Sequence, residues 1–297
     1  MADKTLQKRE RGPDPAASPR SAGQTTVRAV LQALWPSRHW GLTLQLATRE
    51  LAARFRGQGL GWAWLVLAPL LMLAVYTVVL TQVLGVRWGT AAAHSSGTDL
   101  EFALQLYAGL AVFAFFSEVV LRAPRLITNV PHLVKRVVFP LEILPWVSAL
   151  AAMVTLVLAA ALLLAGTAAT RGQLPVSALA LPLVWLPLLP LTLGLGWLLA
   201  AVGTYIRDVG EVLGLALGAL LFLSPVFYDA ASLPPALQLP LGLNPLAVVM
   251  TQTRQVVLVG QWPAWDVWAA VMLAGVMAAL LGAAVFTRVR SGFADVV

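Results

Sequence analysis

The sequence predicts an all-α polytopic membrane protein with six transmembrane helices, an N-terminal amphipathic interface helix and short re-entrant helices between spans 5 and 6. Of the 297 residues, 59% are hydrophobic and 11% are charged, whereas about a quarter of an average soluble domain is charged. Several uncharged runs are long enough to span a membrane. Between two of them, Leu223–Leu246 reads LSPVFYDAASLPPALQLPLGLNPL, which is apolar but contains five prolines. A segment so rich in proline cannot form one continuous helix, and this predicts the re-entrant element.

Composition also excludes several kinds of site. The sequence contains no cysteine, so no disulfide, Cys-ligated zinc site or thiol nucleophile is available. Its histidines, His39, His94 and His132, are far apart in the sequence, so we expect no metal site. The net charge is +7, but the basic residues lie in the N-terminal region and in short gaps between apolar runs. This distribution is typical of membrane topology and predicts no nucleic-acid partner.

The N-terminal region is predicted to contain two parts. Residues 1–36 are polar and contain several prolines, so we expect a disordered cytoplasmic tail. Residues 37–57 are predicted to form an amphipathic helix that lies in the membrane interface. Its apolar stripe at helical spacing consists of Trp40, Leu44, Ala47, Leu51 and Phe55. Three basic side chains are expected to lie off this stripe, namely Arg49, Arg54 and Arg56.

The transmembrane region is predicted over residues 58–290, with a short cytoplasmic C-terminus at 291–297. A span needs roughly 20 apolar residues. The apolar runs supply spans at about 58–86, 102–121, 143–170, 176–203, 209–228 and 265–287. Lys and Arg near the span ends are concentrated on one side, and positive residues favour the cytoplasmic side. Both termini are therefore predicted to be cytoplasmic.

The segment between spans 5 and 6, residues 229–260, is predicted to be a re-entrant gate on the outer side. Asn244 and Pro245 form a good helix start, because Asn caps the first turn and Pro fits inside it. We expect this second short helix to cover Leu246–Val259. Irregular backbone at membrane depth is tolerated only when it is buried in protein or faces a water-filled path. The segment is therefore predicted to line or gate a pathway, and a peripheral packing element is the alternative.

The loops on the cytoplasmic side carry the remaining charge. The loop RAPRLITNVPHLVKRVVFPLEILPW mixes four basic residues with an amphipathic core. This pattern predicts a short helix that docks a cytoplasmic partner, and charge that only sets the topology is the alternative. In the loop TYIRDVGE, we expect Arg207 and Asp208 to cap or pair. Glu118 and Glu142 are candidates for a proton relay, but local pairing is favoured, with Arg122, Arg125 or Arg136.

Four blocks of the sequence, which occur in a fixed order along the chain, together carry a family resemblance. They are RELAARFRGQGLGWAWLVLAPLLMLAVYTVV, TNVPHLVKRVVFPLEILP, YIRDVGE and SPVFY…LNPL…R, the last of which ends at Arg254. Together with the C-terminal SGFADVV, they resemble the permease subunit of ABC-2 type ABC transporters, over about residues 38–297. The resemblance is to the branch that exports lipid-linked polysaccharides such as O-antigen, capsule and teichoic acid.

The resemblance implies a transport subunit rather than an enzyme. The chain would form a homodimer in the bacterial cytoplasmic membrane and bind two copies of a separate ABC ATPase subunit. ATP and Mg would bind that partner, and this chain would hold no cofactor. The sequence agrees, since it contains neither a GxxxxGK[ST] phosphate loop nor charged residues at the span midplanes. The substrate would be a lipid-linked glycan, moved outward.

Two sets of candidate site residues follow. The resemblance implies that the ATPase docks on the interface helix and the cytoplasmic loops, through Arg49, Arg54, Arg56, Asn129, Leu133, Lys135, Arg136, Arg207 and Asp208. A path for the glycan is expected to use aromatic rings, whose apolar faces contact sugars with little charge selectivity. The path and gate candidates are Trp64, Tyr76, Phe113, Phe116, Phe222, Phe227, Tyr228, Asn244, Pro245 and Arg254. Aromatic residues near span ends are also common as interfacial anchors, which is the alternative.

Two other functions stay open at this stage. Within the same superfamily, the chain could export a drug, a small lipid or another hydrophobic solute. In a different class, it could be a membrane-embedded enzyme that modifies glycans. Such an enzyme needs clustered acidic or histidine residues at one membrane face, and the sequence offers no obvious cluster.

Overall fold

The computed structural model describes residues 30–55, 59, 61–83, 85, 99–134 and 139–296. These described residues form helices and turns, and none of them is in a strand. The longer helices are α1 (Trp40–Phe55), α2 (Trp64–Val78), α3 (Asp99–Arg122), α4 (Leu144–Arg171), α5 (Leu188–Tyr205), α6 (Val209–Leu223), α7 (Pro235–Gly242), α8 (Pro245–Arg254) and α9 (Trp265–Val289). Shorter helical pieces are Pro131–Val134, Leu181–Trp185 and Phe293–Val296.

Five helical segments among the described residues are long and apolar enough to cross a membrane. They are Gly61–Val83, Asp99–Arg125, Leu141–Arg171, Val176–Tyr205 and Trp265–Gly292. The fourth is not one regular helix, because its prolines divide it into the 3-10 turn Val176–Ala180, the helix Leu181–Trp185 and α5.

The fifth predicted span differs most from the structure. We predicted a helix over 209–228, but α6 ends at Leu223. Ser224 there adopts extended backbone angles, because the residue before a proline is pushed out of the helical region, and Pro225 follows. At about 1.5 Å per residue, the 15 residues of α6 extend about 22 Å, less than the roughly 30 Å of a hydrocarbon core.

The centre of the bundle is held by close contact between α5 and α9. A Cβ atom added at Gly282 would collide with the backbone carbonyl of Gly194. A Cβ added at Gly194 would in turn collide with the backbone of Ala278. Small residues let membrane helices approach closely, and dispersion between the two backbones then replaces the hydrophobic effect, which does not act between helices in lipid. The α3 and α4 helices pack against each other and against α5, and complete the core.

The N-terminal region also departs from the prediction. Residues 30–34, which we expected in the disordered tail, are helical. Ala33 is fully buried there and its carbonyl accepts a 2.9 Å hydrogen bond from the Trp146 indole Nε1. Val30 and Leu34 pack on the same core, so an apolar i, i+3, i+4 face explains the order. The rest of the predicted tail, residues 1–29, lies outside the described residues.

Candidate functional site

One end of the bundle collects ion pairs around α1. The guanidinium of Arg54 pairs with the carboxylate of Glu118, and Arg122 pairs with Glu50 at 2.8 Å and with Glu118 at 3.7 Å. At its other end, α1 places Trp40 edge-on against Trp146, with the ring centroids 6.3 Å apart.

These contacts set the direction of α1 relative to the bundle. Trp146 lies near the first residue of α4, and Glu118 lies near the last residue of α3. Both ends of α1 therefore meet the same end of the bundle. The helix lies across that end rather than along the spans.

The side of α1 that faces the bundle overlaps the predicted stripe only in part, at Ala47 and Leu51. The buried side chains are Thr43, Ala47 and Leu51, whereas Leu44 is about half exposed at 48%. Arg54, which we placed off the stripe, faces α3 through its ion pair. Glu118 is only partly exposed, which favours a cationic partner, and Arg54 supplies one from the edge of the stripe.

Two further ion pairs lie at this same end, which we call the charged end. Arg125 and Glu211 join the loop after α3 to the first turn of α6, with 3.4 Å between nitrogen and oxygen. Arg290 and Glu142 join the end of α9 to the start of α4 at 2.9 Å. Both glutamates proposed for a proton relay are thus engaged in ion pairs. Pairing was the favoured interpretation, although Arg290 was not among the expected partners.

The structure brings most of the predicted ATPase-contact residues that it describes to the charged end. Arg49 and Asn129 are exposed there, Leu133 is half-buried, and Arg207 and Asp208 are exposed in the turn before α6. Asp208 occupies the position before the helix but its side chain makes no capping hydrogen bond. Whether these residues contact a partner stays a prediction. Three further candidates lie outside the described residues: Arg56, Lys135 and Arg136.

The opposite end of the bundle contains α7 and α8, where the gate was predicted. Asn244 caps α8, since its side-chain oxygen accepts a 3.0 Å bond from the Leu246 amide. Its side-chain nitrogen donates to the Ser224 hydroxyl at 3.1 Å, and this bond ties the start of α8 to the end of α6. Pro245 occupies the first turn. The α8 helix ends at Arg254, and a π-helical turn, Gln255–Val259, continues to Gly260.

Arg254 is buried at the point where α8 meets two other elements. Its Nε donates to the Gln105 carbonyl of α3 at 2.9 Å. Its Nη1 and Nη2 donate to the carbonyls of Pro225 and Val226 at 2.6 and 3.1 Å. Gly109 leaves room for the guanidinium, because a Cβ there would lie 2.6 Å from Nη2. The arginine thus satisfies carbonyls that the turn after α6 leaves without helical partners.

Other hydrogen bonds connect α8 and the π-helical turn after it to the rest of the bundle. The Trp185 indole donates to the Thr253 hydroxyl at 2.9 Å, and the Ser177 hydroxyl donates to the Val256 carbonyl at 2.7 Å. The Gln252 amide donates to the Ala264 carbonyl at 3.0 Å. These polar groups of an irregular segment are therefore paired within the protein.

The predicted aromatic path residues fall into three environments. Tyr76, Phe222 and Phe227 form a cluster with centroid separations of 5.6 Å (Tyr76–Phe227) and 5.5 Å (Phe222–Phe227). Phe116 is buried in the core, and Phe113 is half-buried. Trp64 and Tyr228 are partly exposed at opposite ends of the membrane region. The structure thus brings three of these residues together, at the junction of α2 and α6.

Two cavities lie next to these residues. An apolar cavity of about 420 Å³ lies between α2, α3 and α4, and its lining includes Tyr76, Phe113 and Leu156. A second cavity of about 570 Å³ lies beside α7 and α8, and we call it the polar cavity because half of its lining residues are polar or charged, Gln105 and Arg254 among them.

The sequence interpretation missed Gln105 and Gly109, the α3 residues that meet Arg254. A local signal existed. Gln105 is a polar residue inside an otherwise apolar run, and Gly109 follows four positions later, so both lie on one helix face. Asp229 and the glutamines near α8 were also missed, because a polar residue in a loop gives no indication of the cavity it lines.

Comparison with known proteins identifies the family of the chain. The family model for the ABC-2 type transporter matches residues 42–258. The O-antigen export system permease protein RfbA of Myxococcus xanthus is 30% identical over 260 residues, which cover 86% of this chain and 95% of that protein. The resemblance inferred from the four blocks is confirmed. The chain belongs to the ABC-2 type transporter family and is a membrane permease, whose family implies an ABC ATPase as its partner.

Proposed function

We propose that this chain is the transmembrane subunit of an ATP-driven exporter that moves a lipid-linked polysaccharide outward across the bacterial cytoplasmic membrane. The observation that carries the proposal is the similarity, along nearly the whole length of both chains, to a protein named as an O-antigen export permease. The chain itself contains no phosphate-binding loop. We expect the energy for transport to come from a separate ATPase subunit.

The topology that we propose has six spans, with α6 as the fifth, and both termini in the cytoplasm. The excess of Lys and Arg near the charged end supports a cytoplasmic location for that end. Because α6 is short, its outer end lies below the outer surface, and the segment that follows begins at membrane depth.

A re-entrant position for α7 and α8 is supported by the contact of Arg254 with Gln105. Gln105 is six residues into α3, so this contact lies about 9 Å below the helix end at Asp99. A segment that only rested on the surface would not reach that depth.

For the assembly, we propose a homodimer with two ATPase copies on the charged end. Closed twofold pairs are the commonest oligomers. The α2 helix supports pairing with a second chain or with lipid, because several of its large apolar side chains are exposed, for example Leu71, Met72 and Val75. ATP and Mg would bind the ATPase. Nucleotide can drive the permease only if the ATPase binds one arrangement of the spans more tightly than another.

The two cavities support an amphiphilic substrate. The apolar cavity suits a hydrocarbon chain, and the polar cavity suits a hydroxylated group. Taken without the polar cavity, the apolar cavity favours the second candidate function, which is export of a drug or small lipid. A glycan-modifying enzyme has less support, because the family match and the similar export permease both favour a transport subunit.

Deletion of the gene tests the proposal. Lipid-linked glycan should then be absent from the surface of intact cells and accessible to a membrane-impermeant label only after the cells are broken. Complementation with the wild-type gene is the control and should restore surface glycan. Unchanged surface glycan in the deletion strain would refute the substrate assignment. If the same strain became sensitive to hydrophobic drugs, the second candidate would replace it.

A further inference from the structure

The polar cavity beside α7 and α8 has an unusual lining. Five of the twelve glutamines in the sequence line it, namely Gln105, Gln238, Gln252, Gln255 and Gln261. Its volume of about 570 Å³ falls within the range of about 300–1,000 Å³ that is typical of ligand sites. Glutamines this concentrated in a chain with only 11% charged residues need a physical reason.

Packing alone does not account for these amides. The side-chain oxygen of Gln105 is buried and has no hydrogen-bond partner within the part of the chain that the structure describes. Two others use only their nitrogen in the described contacts, since Gln238 donates to the Leu233 carbonyl and Gln252 donates to the Ala264 carbonyl. A buried carbonyl oxygen without a partner costs free energy, which a small rotation of the Gln105 side chain toward a ligand in the cavity would recover.

The charge of the lining indicates the class of ligand. Asp229 and Arg254 both line the cavity, so their formal charges cancel. The Asp229 carboxylate in the same lining disfavours an anion such as phosphate. Each glutamine offers two donors and an acceptor, and a hydroxyl group both donates and accepts. The best match is a neutral ligand with many hydroxyl groups.

We infer that this cavity binds a neutral sugar unit of the exported glycan at the outer end of the permease, with the glutamine amides contacting its hydroxyl groups. The inference rests on the proposed function and specifies where the outer part of the path contacts sugar. Because the cavity lies between α3, α7, α8 and α9, a sugar held there also contacts the segment that we propose as the gate.

Photo-crosslinking in cells tests the inference by comparing two cavity positions with control positions directly next to them in the sequence. The photo-reactive residue p-benzoylphenylalanine replaces Gln238 or Gln261, which are exposed and line the cavity. The controls place it at Leu239 or Trp262, which follow them directly and are 75% and 59% exposed but do not line the cavity. Cells are fed tritiated glucose to label the glycan and are then illuminated.

We expect tritium on the permease to be at least about fivefold higher for each cavity position than for its neighbour, because the remaining glutamines hold the sugar beside the cavity position and one hydrogen bond raises occupancy about fivefold. Equal labelling of both members of each pair would overturn the inference. If export depends on the gene but cavity positions give no excess label, only the sugar site fails. If export does not depend on the gene, the proposed function fails first.

A second measurement uses the absence of cysteine in the chain. Gln238→Cys and Gln261→Cys are modified on intact cells with a bulky, membrane-impermeant maleimide, with Leu239→Cys and Trp262→Cys as controls. Modification at the cavity positions should block glycan export, and modification at the controls should leave it unchanged. Equal effects at both kinds of position would contradict a sugar site in this cavity.

Discussion

Arg254 connects three elements through one side chain. Its guanidinium donates to carbonyls of α3 and of the turn after α6, while the residue itself ends α8. The fixed fork of arginine nitrogens can reach separate carbonyls at once, whereas a lysine ammonium places its donors on one atom. Burial of this charge is therefore stabilising only with arginine in this position.

Arg254→Lys should lower the stability of the purified protein in detergent. Loss of about two charge-assisted hydrogen bonds should cost roughly 3 kcal/mol in the free energy of unfolding. Thermal unfolding measures this as a lower midpoint temperature. The matched control is Arg171→Lys, at the exposed end of α4, which should leave the midpoint unchanged. An unaltered midpoint for Arg254→Lys would show that the three carbonyls do not need the guanidinium.

Asn244 and Arg254 show which contacts can be predicted from the local sequence and which cannot. The cap formed by Asn244 could be predicted, because the capping side chain and the amide it accepts from are two residues apart. The partner of Arg254 on α3 could not, because Gln105 is 149 positions away in the chain. Only the packing of α8 against α3 brings them together, and no periodicity in either segment encodes it.

At the scale of elements, α1 is joined to α3 by half-buried ion pairs. Glu118, which is 14% exposed, pairs with Arg54 of α1, and Arg122 of α3 pairs with Glu50 of α1, so two ion pairs hold the two helices together. We predicted that basic residues of α1 contact the ATPase. Through these pairs, a movement of α1 would be transmitted to α3, whose other half contacts Arg254.

Glu118→Gln should loosen α1 while the spans stay folded. The neutral amide leaves Arg54 without its carboxylate partner, and we expect a cost of about 1 kcal/mol, or roughly fivefold faster local opening. Amide hydrogen exchange over residues 40–55 measures it. The control is Glu211→Gln, whose carboxylate is 81% exposed in its pair with Arg125 and should have no effect. Equal exchange rates in both variants would mean that the α1–α3 ion pair does not hold α1.

Helix boundaries could be predicted where hydrophobic composition or a proline determines them. Uncharged runs indicate α3, α4 and α9, because a span must be apolar over its length. The end of α6 at Leu223 could also have been predicted, since Ser224 precedes Pro225. The helix at 30–34 was missed because its apolar face is short and gains its order from contact with Trp146, which the local sequence does not reveal.

At the scale of the whole molecule, charge is segregated to the two ends of the bundle. The ion pairs of the described residues lie at the charged end, and Arg254 and Asp229 lie at the other. The core between them is apolar. The family of the chain, rather than this distribution of charge, implies that an ABC ATPase moves the permease.

The most direct test is transport by purified components. The permease is reconstituted in proteoliposomes with and without its ATPase subunit, and transfer of labelled lipid-linked glycan between leaflets is followed after addition of MgATP. We expect transfer only when both subunits and MgATP are present, and none with a non-hydrolysable nucleotide. Transfer by this chain alone, driven by a proton or sodium gradient, would contradict the account.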